Sequence, residues 1–241
     1  MPNFLEWASR VTVLLVRPEN PENIGLAARG MKNTGFQKLR LVSKTGVDQR
    51  AYKTAVHAED VLEKAQIYSS LQAATGDLDV VFAATAKRRK NFDVLSLDEA
   101  VSKIARFPST VRIGLLFGNE RTGLSSEEMK SSNYRFTIPQ AHDQPSYNLA
   151  AAVLLTLFHI CARSPHEQRE RRLRKPFSRK KQEECIQIIL AKLEEEGFIH
   201  KTNKQHMTER VYDLLGRLAM TDKDSRLLLA MFSKGITKQK E

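Results

Sequence analysis

Val11-Thr12-Val13-Leu14-Leu15-Val16, stopped by Arg17-Pro18 and followed by Asn20-Pro21-Glu22-Asn23-Ile24-Gly25-Leu26-Ala27-Ala28-Arg29, sets the pattern for the chain. A short apolar run rich in β-branched residues reads as a buried strand. Helical spacing then runs from Ile24 to Asn33, and Thr34-Gly35 ends it. Leu39-Arg40-Leu41-Val42, Asp79-Val80-Val81-Phe82-Ala83-Ala84 and Ile113-Gly114-Leu115-Leu116-Phe117 read as further strands, with helical stretches between them. Strands alternating with helices predict an α/β domain on a largely parallel sheet. Near-continuous apolar strands predict a sheet covered on both faces.

The 241 residues suffice for one large or two small domains. Lys and Arg number 39 against 28 Asp and Glu, a net charge of +11. Such a surface favours polyanions, meaning nucleic acid or an acidic membrane face, although charge alone also fits a basic protein with neither partner. Residues 1–160 carry 20 basic and 16 acidic side chains (net +4), and residues 161–241 carry 19 and 12 (net +7). The excess concentrates between Arg163 and Lys181, where nine basic side chains meet only Glu167 and Glu170. Cys161 and Cys185 lie among apolar helical residues without CxxC spacing, which reads as free buried thiols in a reducing compartment. Met1 to Arg10 lacks a signal-peptide pattern, and the most apolar stretch, Leu149 to Ile160, is too short to span a bilayer. The expectation is a cytoplasmic protein with no membrane partner.

Tyr147 to Cys161 is apolar almost all round, so as a helix it must be buried in the core or against another subunit. Ser164-Pro165 and the basic run through Lys175-Pro176 mark a linker. Ile186, Ile189, Leu190 and Leu193 then fall at amphipathic spacing up to Gly197, and Val211, Leu214, Leu215 and Leu218 repeat it. Leu227 to Phe232 is a third helical candidate. The expected division is a main domain over 1–164, a basic linker over 165–181 and a small helical domain over 182–241. There is no internal repeat.

No GxGxxG follows the first strand and no GxxxxGK[ST] occurs, which removes support for dinucleotide and nucleoside-triphosphate binders. The six histidines show no paired ligand spacing and there is no HExxH, so no metal site is expected. Three strand-to-loop junctions are chemically alike: Ala84-Thr85-Ala86, Phe117-Gly118-Asn119-Glu120 and Ile138-Pro139-Gln140. Small, Gly and Pro residues there leave backbone groups free to face a ligand beyond the strand ends. Gly118, without a Cβ, allows close backbone approach. Three ordinary turns explain the same residues.

Taken together, Asn20 to Arg29, Leu116-Phe117-Gly118-Asn119-Glu120-Arg121-Thr122-Gly123-Leu124-Ser125 and Ile138-Pro139-Gln140-Ala141-His142-Asp143-Gln144-Pro145-Ser146-Tyr147-Asn148-Leu149-Ala150 resemble the three motifs of the SPOUT-superfamily (SpoU-like) RNA 2′-O-methyltransferases. The resemblance implies an α/β SPOUT fold with a deep trefoil knot near its C-terminal end and a cup for S-adenosylmethionine. It puts Ala84, Thr85, Ala86, Gly118, Ile138, Pro145, Ser146 and Tyr147 around that cofactor. Tyr147 departs from the family, where Leu or Ser is usual. The residues matched to the catalytic set are Arg29, Glu120, Ser146 and Asn148, with Glu120 hydrogen bonding to Asn23 or Arg29.

On a helix starting near Asn23, residues Ile24, Ala27, Ala28 and Met31 share one face and Arg29 points away, as a solvent-facing arginine also would. The resemblance makes Arg29 the active-site arginine. A guanidinium stays protonated at ordinary pH, whereas a general base works with a pKa near the operating pH. The expected role is therefore orientation of the target phosphate and stabilisation of charge on the 2′-oxygen, with an RNA phosphate, water or another group as base. Asn23 is expected to cap or orient the first helix and to touch RNA. Lys87-Arg88-Arg89-Lys90 either holds phosphates at the cleft mouth or is a solvated charge run. The family is typically homodimeric, which suits the Tyr147 to Cys161 helix as an interface. The C-terminal part resembles the arm of bacterial tRNA methyltransferases acting on anticodon-loop nucleotide 32. The implied activity is 2′-O-methylation of cytidine or uridine there. The same chemistry on ribosomal RNA, or a non-catalytic RNA-binding relative, stands as the alternative, and no DNA partner is expected.

Overall fold

The computed structural model describes residues 8–86, 93–141, 146–163, 178–218 and 220–233. β1 (Val11–Val16), α1 (Pro21–Asn33), β2 (Lys38–Val42), α2 (Gln49–Ala55), α3 (Glu59–Glu63), β3 (Gln66–Tyr68), α4 (Leu71–Thr75) and β4 (Val80–Ala84) come first. β5 (Val94–Ser96), α5 (Leu97–Arg106), β6 (Ile113–Phe117), α6 (Ser126–Lys130), β7 (Tyr134–Thr137) and α7 (Leu149–Ala162) follow. The C-terminal part holds α8 (Arg179–Glu195), α9 (Lys204–Gly216) and α10 (Asp222–Ser233). Seven strands run parallel in the order β3-β2-β1-β6-β4-β7-β5.

The expected two-sided sheet is present. Alternate residues of a strand point to opposite faces. Val11, Val13 and Leu15 of β1 join Ile113, Leu115 and Phe117 of β6 in a core roofed by α1, α2, α5 and α7. Leu14 and Val16 join Val81, Ala83 and Leu116 in a second core under α4 and α6. β3 and β5 were not anticipated, because three residues at a sheet edge carry too little pattern.

α1 begins at Pro21 rather than near Asn23, and its N-cap is Asn20, whose side chain accepts from the Glu22 N–H. Proline at the helix start donates no N–H and has φ set for helix, which fixes the cap one residue before it. Asn23 is therefore not the cap; it lies buried inside the helix. Ile24, Ala27, Ala28 and Met31 are buried and Arg29 is exposed, as the spacing predicts.

α7 begins at Leu149, with Asn148 as N-cap accepting from the Ala150 N–H at 2.9 Å, so Tyr147 precedes the helix. Val153, Leu157 and Ile160 are buried against the sheet. Within the single chain, Leu154, Leu155 and Phe158 are exposed, at 41%, 37% and 61%. Cys185 is buried and Cys161 only half-buried.

Ile186, Ile189 and Leu190 form a separate small core with Ile199 and Leu215, flanked by Leu193 and Val211. Leu214 is exposed because α9 is covered along one side, and Leu218, also exposed, falls beyond the helix end at Gly216. Arg179, Lys180 and Lys181, placed in the linker by sequence, form the first turn of α8. A buried polar cluster seats these helices on the sheet. Arg179 donates to the Lys130 and Gly216 carbonyls, Asn133 donates to Gln182 at 3.0 Å, and Arg135 pairs with Asp213 at 3.1 Å. Burial pushes the Arg179 guanidinium down to about 10.

Candidate functional site

β6 follows the edge strand β5 in sequence yet inserts between β1 and β4. Beside that insertion, at the carboxyl ends of β4, β6 and β7, lies a cavity of about 270 Å³. Ligands of open α/β sheets sit beyond such strand ends. Ala84, Thr85, Ala86, Gly118, Ile138, Ser146 and Tyr147 all line it, as does Glu120. Pro145 and the run Lys87, Arg88, Arg89 and Lys90 lie outside the described residues. Arg29 and Asn148 do not line the cavity of their own chain.

The loop after β6 is built by one side chain. Asn119 is buried and donates to the Arg17 carbonyl at 2.8 Å, while its Oδ1 accepts from the N–H groups of Arg121 and Thr122, both at 3.0 Å. Gly123, at φ +66°, turns the loop back on Gly118. A Cβ at Gly118 would meet Gly123 C and Leu124 N at 2.4 Å. The close approach that Gly118 permits is thus first of all that of its own loop. Asn119 and Gln140 of the second and third junctions line the cavity too, and Arg121 to Leu124, Leu149 and Ala152 join them without having been anticipated. Their proximity comes from the loop folding back, which leaves no spacing signal.

Three distant segments meet in a hydrogen-bonded relay beside the cavity. Glu120 accepts from the Glu19 and Asn20 N–H groups at 2.9 and 3.2 Å, and from Asn23 Nδ2 at 2.9 Å. Asn23 Oδ1 accepts in turn from Asn148 Nδ2 at 2.8 Å. Burial pushes the Glu120 carboxyl up, but the bonds from Asn23 and the Glu19 and Asn20 backbone outweigh it and hold the group below its ordinary range. Glu120 thus bonds Asn23, one of its two anticipated partners. The Asn23 amide is engaged on both sides within the fold.

Upstream, Arg17 holds a left-handed backbone at φ 51°. Its guanidinium makes a two-pronged contact with Glu128 at 2.8 and 2.9 Å, which raises its pKa above the ordinary value. In the third loop, Tyr147 Oη donates to the Pro139 carbonyl at 2.7 Å and Gln140 Nε2 to the Ala86 carbonyl at 3.3 Å. The Tyr147 ring thereby stays at the cavity wall. Among the described residues, no group of three or more His, Cys, Asp or Glu is placed to hold a metal, and no helix is long and apolar enough to cross a membrane.

Residues 10–158 match the SpoU rRNA Methylase family. The chain is 35% identical over 155 residues to tRNA (cytidine-2′-O-)-methyltransferase TrmJ of Methanocaldococcus jannaschii, covering 62% of this chain and 66% of that one. It is 28% identical over 244 residues to tRNA (cytidine/uridine/adenosine-2′-O-)-methyltransferase TrmJ of Pseudomonas aeruginosa, covering 93% of each. The crystal structure of TrmJ from Z. mobilis superposes with a TM-score of 0.79 at 26% identity, over 92% of this chain and 97% of that one.

Proposed function

The chain belongs to the SpoU rRNA methylase family, and from that premise we propose that it methylates a ribose 2′-hydroxyl of tRNA, at cytidine or uridine 32, using S-adenosylmethionine. The observation that carries the reading is the cavity, whose wall contains seven of the eight residues matched to cofactor binding.

The wall suits such a cofactor. Ala84, Ile138, Leu149 and Ala152 offer apolar surface, while Thr85, Ser146, Gln140 and the Glu120 carboxylate offer polar groups. A few convergent polar groups in an otherwise apolar cavity is the usual composition of a small-molecule site. When bound, the cofactor supplies an electrophilic sulfonium methyl, so the protein's part is alignment. Alignment supplies up to roughly 7–11 kcal/mol in favourable cases. Gly118 and the Asn119-braced loop form one wall, and the third loop, pinned by Tyr147 and Gln140, forms the facing one. Glu120 and Asn148 act through the relay that locks those loops to α1, and Ser146 lines the cavity.

Arg29 is the proposed catalytic residue, binding the target phosphate and stabilising charge on the 2′-oxygen. It stands on α1 one turn from exposed Leu26, next to which Leu154 of α7 packs on Gly30. We take Leu26, Leu154, Leu155 and Phe158 as the seat of a second copy. A partner there would stand beside Arg29, so that the reacting groups assemble across a homodimer. The insertion of β6 between β1 and β4 supports the family's trefoil knot. Residues 182–241 are the proposed helical substrate arm behind the basic 165–181 segment, and the location proposed is the cytoplasm.

The test supplies labelled S-adenosylmethionine to wild type and R29A with unmodified tRNA or ribosomal RNA. Label in tRNA, reduced at least about 10²-fold in R29A while cofactor affinity holds, is the expected result. Label only in ribosomal RNA keeps the chemistry and replaces the substrate. Cofactor binding without transfer to either RNA removes the reading.

A further inference from the structure

A basic cleft opens at the opposite end of the sheet from the cavity. The segments entering the strands wall it: Arg10 before β1, Lys38 and Arg40 in β2, Lys64 after α3 and Arg112 before β6. It encloses about 370 Å³, and Asp77 is the one carboxylate among its described lining residues. Five cations converging from separate elements repel one another unless anions answer them.

The fold answers some of them. Arg10 donates to the Ile104 and Phe107 carbonyls at 3.0 and 2.9 Å, and Arg40 meets Asp77 at 2.5 and 2.8 Å. Arg112 reaches the buried Asp79 through two long contacts of 3.4 Å, with its own side chain half exposed. Lys38 and Lys64 are exposed, Lys64 feeling Asp60 only through space, and neither forms an ion pair among the described residues. The charge left over is therefore chiefly on Lys38 and Lys64, whose side chains face water.

The cleft does not stop at Asp77. A second cleft of about 470 Å³ shares that residue and continues to Lys180 at the start of α8, with Glu183 as its other carboxylate. In sequence, Lys180 is the last but one of the nine basic side chains between Arg163 and Lys181. One small anion fits one pocket. Two adjoining clefts, with cations at Lys38, Lys64 and Lys180, fit a chain of phosphates.

We propose that Lys38, Lys64 and Arg112 begin a phosphate track that binds the RNA backbone away from the reacting ribose. This rests on RNA being the substrate. β1, six residues long, spans roughly 20 Å. A contact beyond its far end therefore engages a second segment of a folded RNA. Phosphate contacts fix register and add sequence-independent affinity without touching the chemistry.

The experiment compares wild-type full chain with K38E/K64E and the milder K38Q/K64Q. Binding to a tRNA transcript is followed by fluorescence anisotropy across a salt series, beside calorimetry with S-adenosylmethionine and with inorganic phosphate. Charge reversal should weaken RNA binding at least about tenfold and lower the log–log salt slope by about 0.7–1.8, the loss of one or two phosphates. KM for RNA should rise while kcat and cofactor affinity hold, and the glutamine variant should shift the same way by less. RNA affinity and slope equal to wild type in both variants would overturn the proposal. So would loss of inorganic-phosphate binding with RNA binding intact, which would mark a small-anion site. Weakened binding by the variants of an RNA that wild type fails to methylate would support the track and overturn the proposed reaction instead.

Discussion

Asn23 Nδ2 lies 2.9 Å from Glu120 Oε1, and this one bond ties the first helix to the loop after β6. Its polarity is set from both ends. A carboxylate only accepts, so Asn23 must present its amide nitrogen to Glu120. At the other end, the α7 cap needs Asn148 Oδ1 for the Ala150 N–H, which turns Asn148 Nδ2 towards Asn23 Oδ1. Each amide has one workable orientation, so the three loops lock in one arrangement.

N23A removes both middle bonds and leaves Asn148 Nδ2 without its acceptor. A cost of about 1–3 kcal/mol is expected, lowering Tm by roughly 2–12 °C. N23D sets a second carboxylate against Glu120 and should be less stable than N23A at pH 7. Thermal melts of the two variants check this. Equal melting of N23A and wild type would show that the relay is idle.

The relay also carries a pH signature. Hydrogen bonds hold the folded Glu120 pKa below its ordinary value of 4.5, so the stability it contributes is present above that value. That stability is lost as pH falls through the folded pKa. The gap in unfolding free energy between wild type and E120Q should therefore be widest above pH ~5 and shrink below pH ~4. Glu128, lowered likewise after burial is outweighed by Arg17 and Ser125, keeps part of the slope in E120Q. Urea titrations across that range measure the gap, and a pH-independent difference would contradict the assignment.

Much of this was legible in sequence, for reasons specific to each residue. The β-branched run Val11–Val16 admits few readings, and the spacing of Ile24, Ala27, Ala28 and Met31 left Arg29 only the outer face. The loops after β4, β6 and β7 were recognisable as chemically alike junctions, and seven of the eight residues matched to the cofactor meet at one cavity. The relay was only half visible. Glu120 with Asn23 was one of two anticipated pairs, but Asn23 with Asn148 joins residues 125 apart, which no local pattern reports. The cap went to Asn20 because Pro21 decides between two asparagines that composition alone treats alike. Spacing found the apolar stripes of α7 and α9 but could not say how far neighbours cover them. Hence Phe158 and Leu214 stand exposed in the single chain.

Arg17 offers a test of backbone strain. At φ 51° it occupies a region that costs a non-glycine residue roughly 1–2 kcal/mol. R17A and R17G both lose the Glu128 contact, so their difference isolates the backbone. R17G should be the more stable by about 1 kcal/mol despite glycine's freer unfolded chain. Chemical denaturation of the pair decides, and R17A more stable than R17G would sink the argument.

Gly118 tests the folded-back loop. A methyl group there meets backbone at 2.4 Å, which no side-chain rotation relieves. G118A should displace the Gly123 turn, weaken cofactor binding at least about tenfold and destabilise the chain by about 1–3 kcal/mol, the range for overpacking. G46A, where a Cβ meets nothing within 4 Å, should leave both unchanged. Calorimetry with S-adenosylmethionine and thermal melting compare the two. Wild-type affinity in G118A would mean that the loop is not part of the cofactor wall.

Mapping where the methyl group lands decides between ribose methylation of tRNA and any other outcome. Unmodified tRNA treated with wild type and S-adenosylmethionine is cleaved with alkali, which spares a linkage whose 2′-oxygen is methylated. One new resistant linkage is expected, on the 3′ side of nucleotide 32, absent when R29A replaces wild type. A methyl group on a base, or no resistant linkage in tRNA despite active cofactor binding, would contradict it.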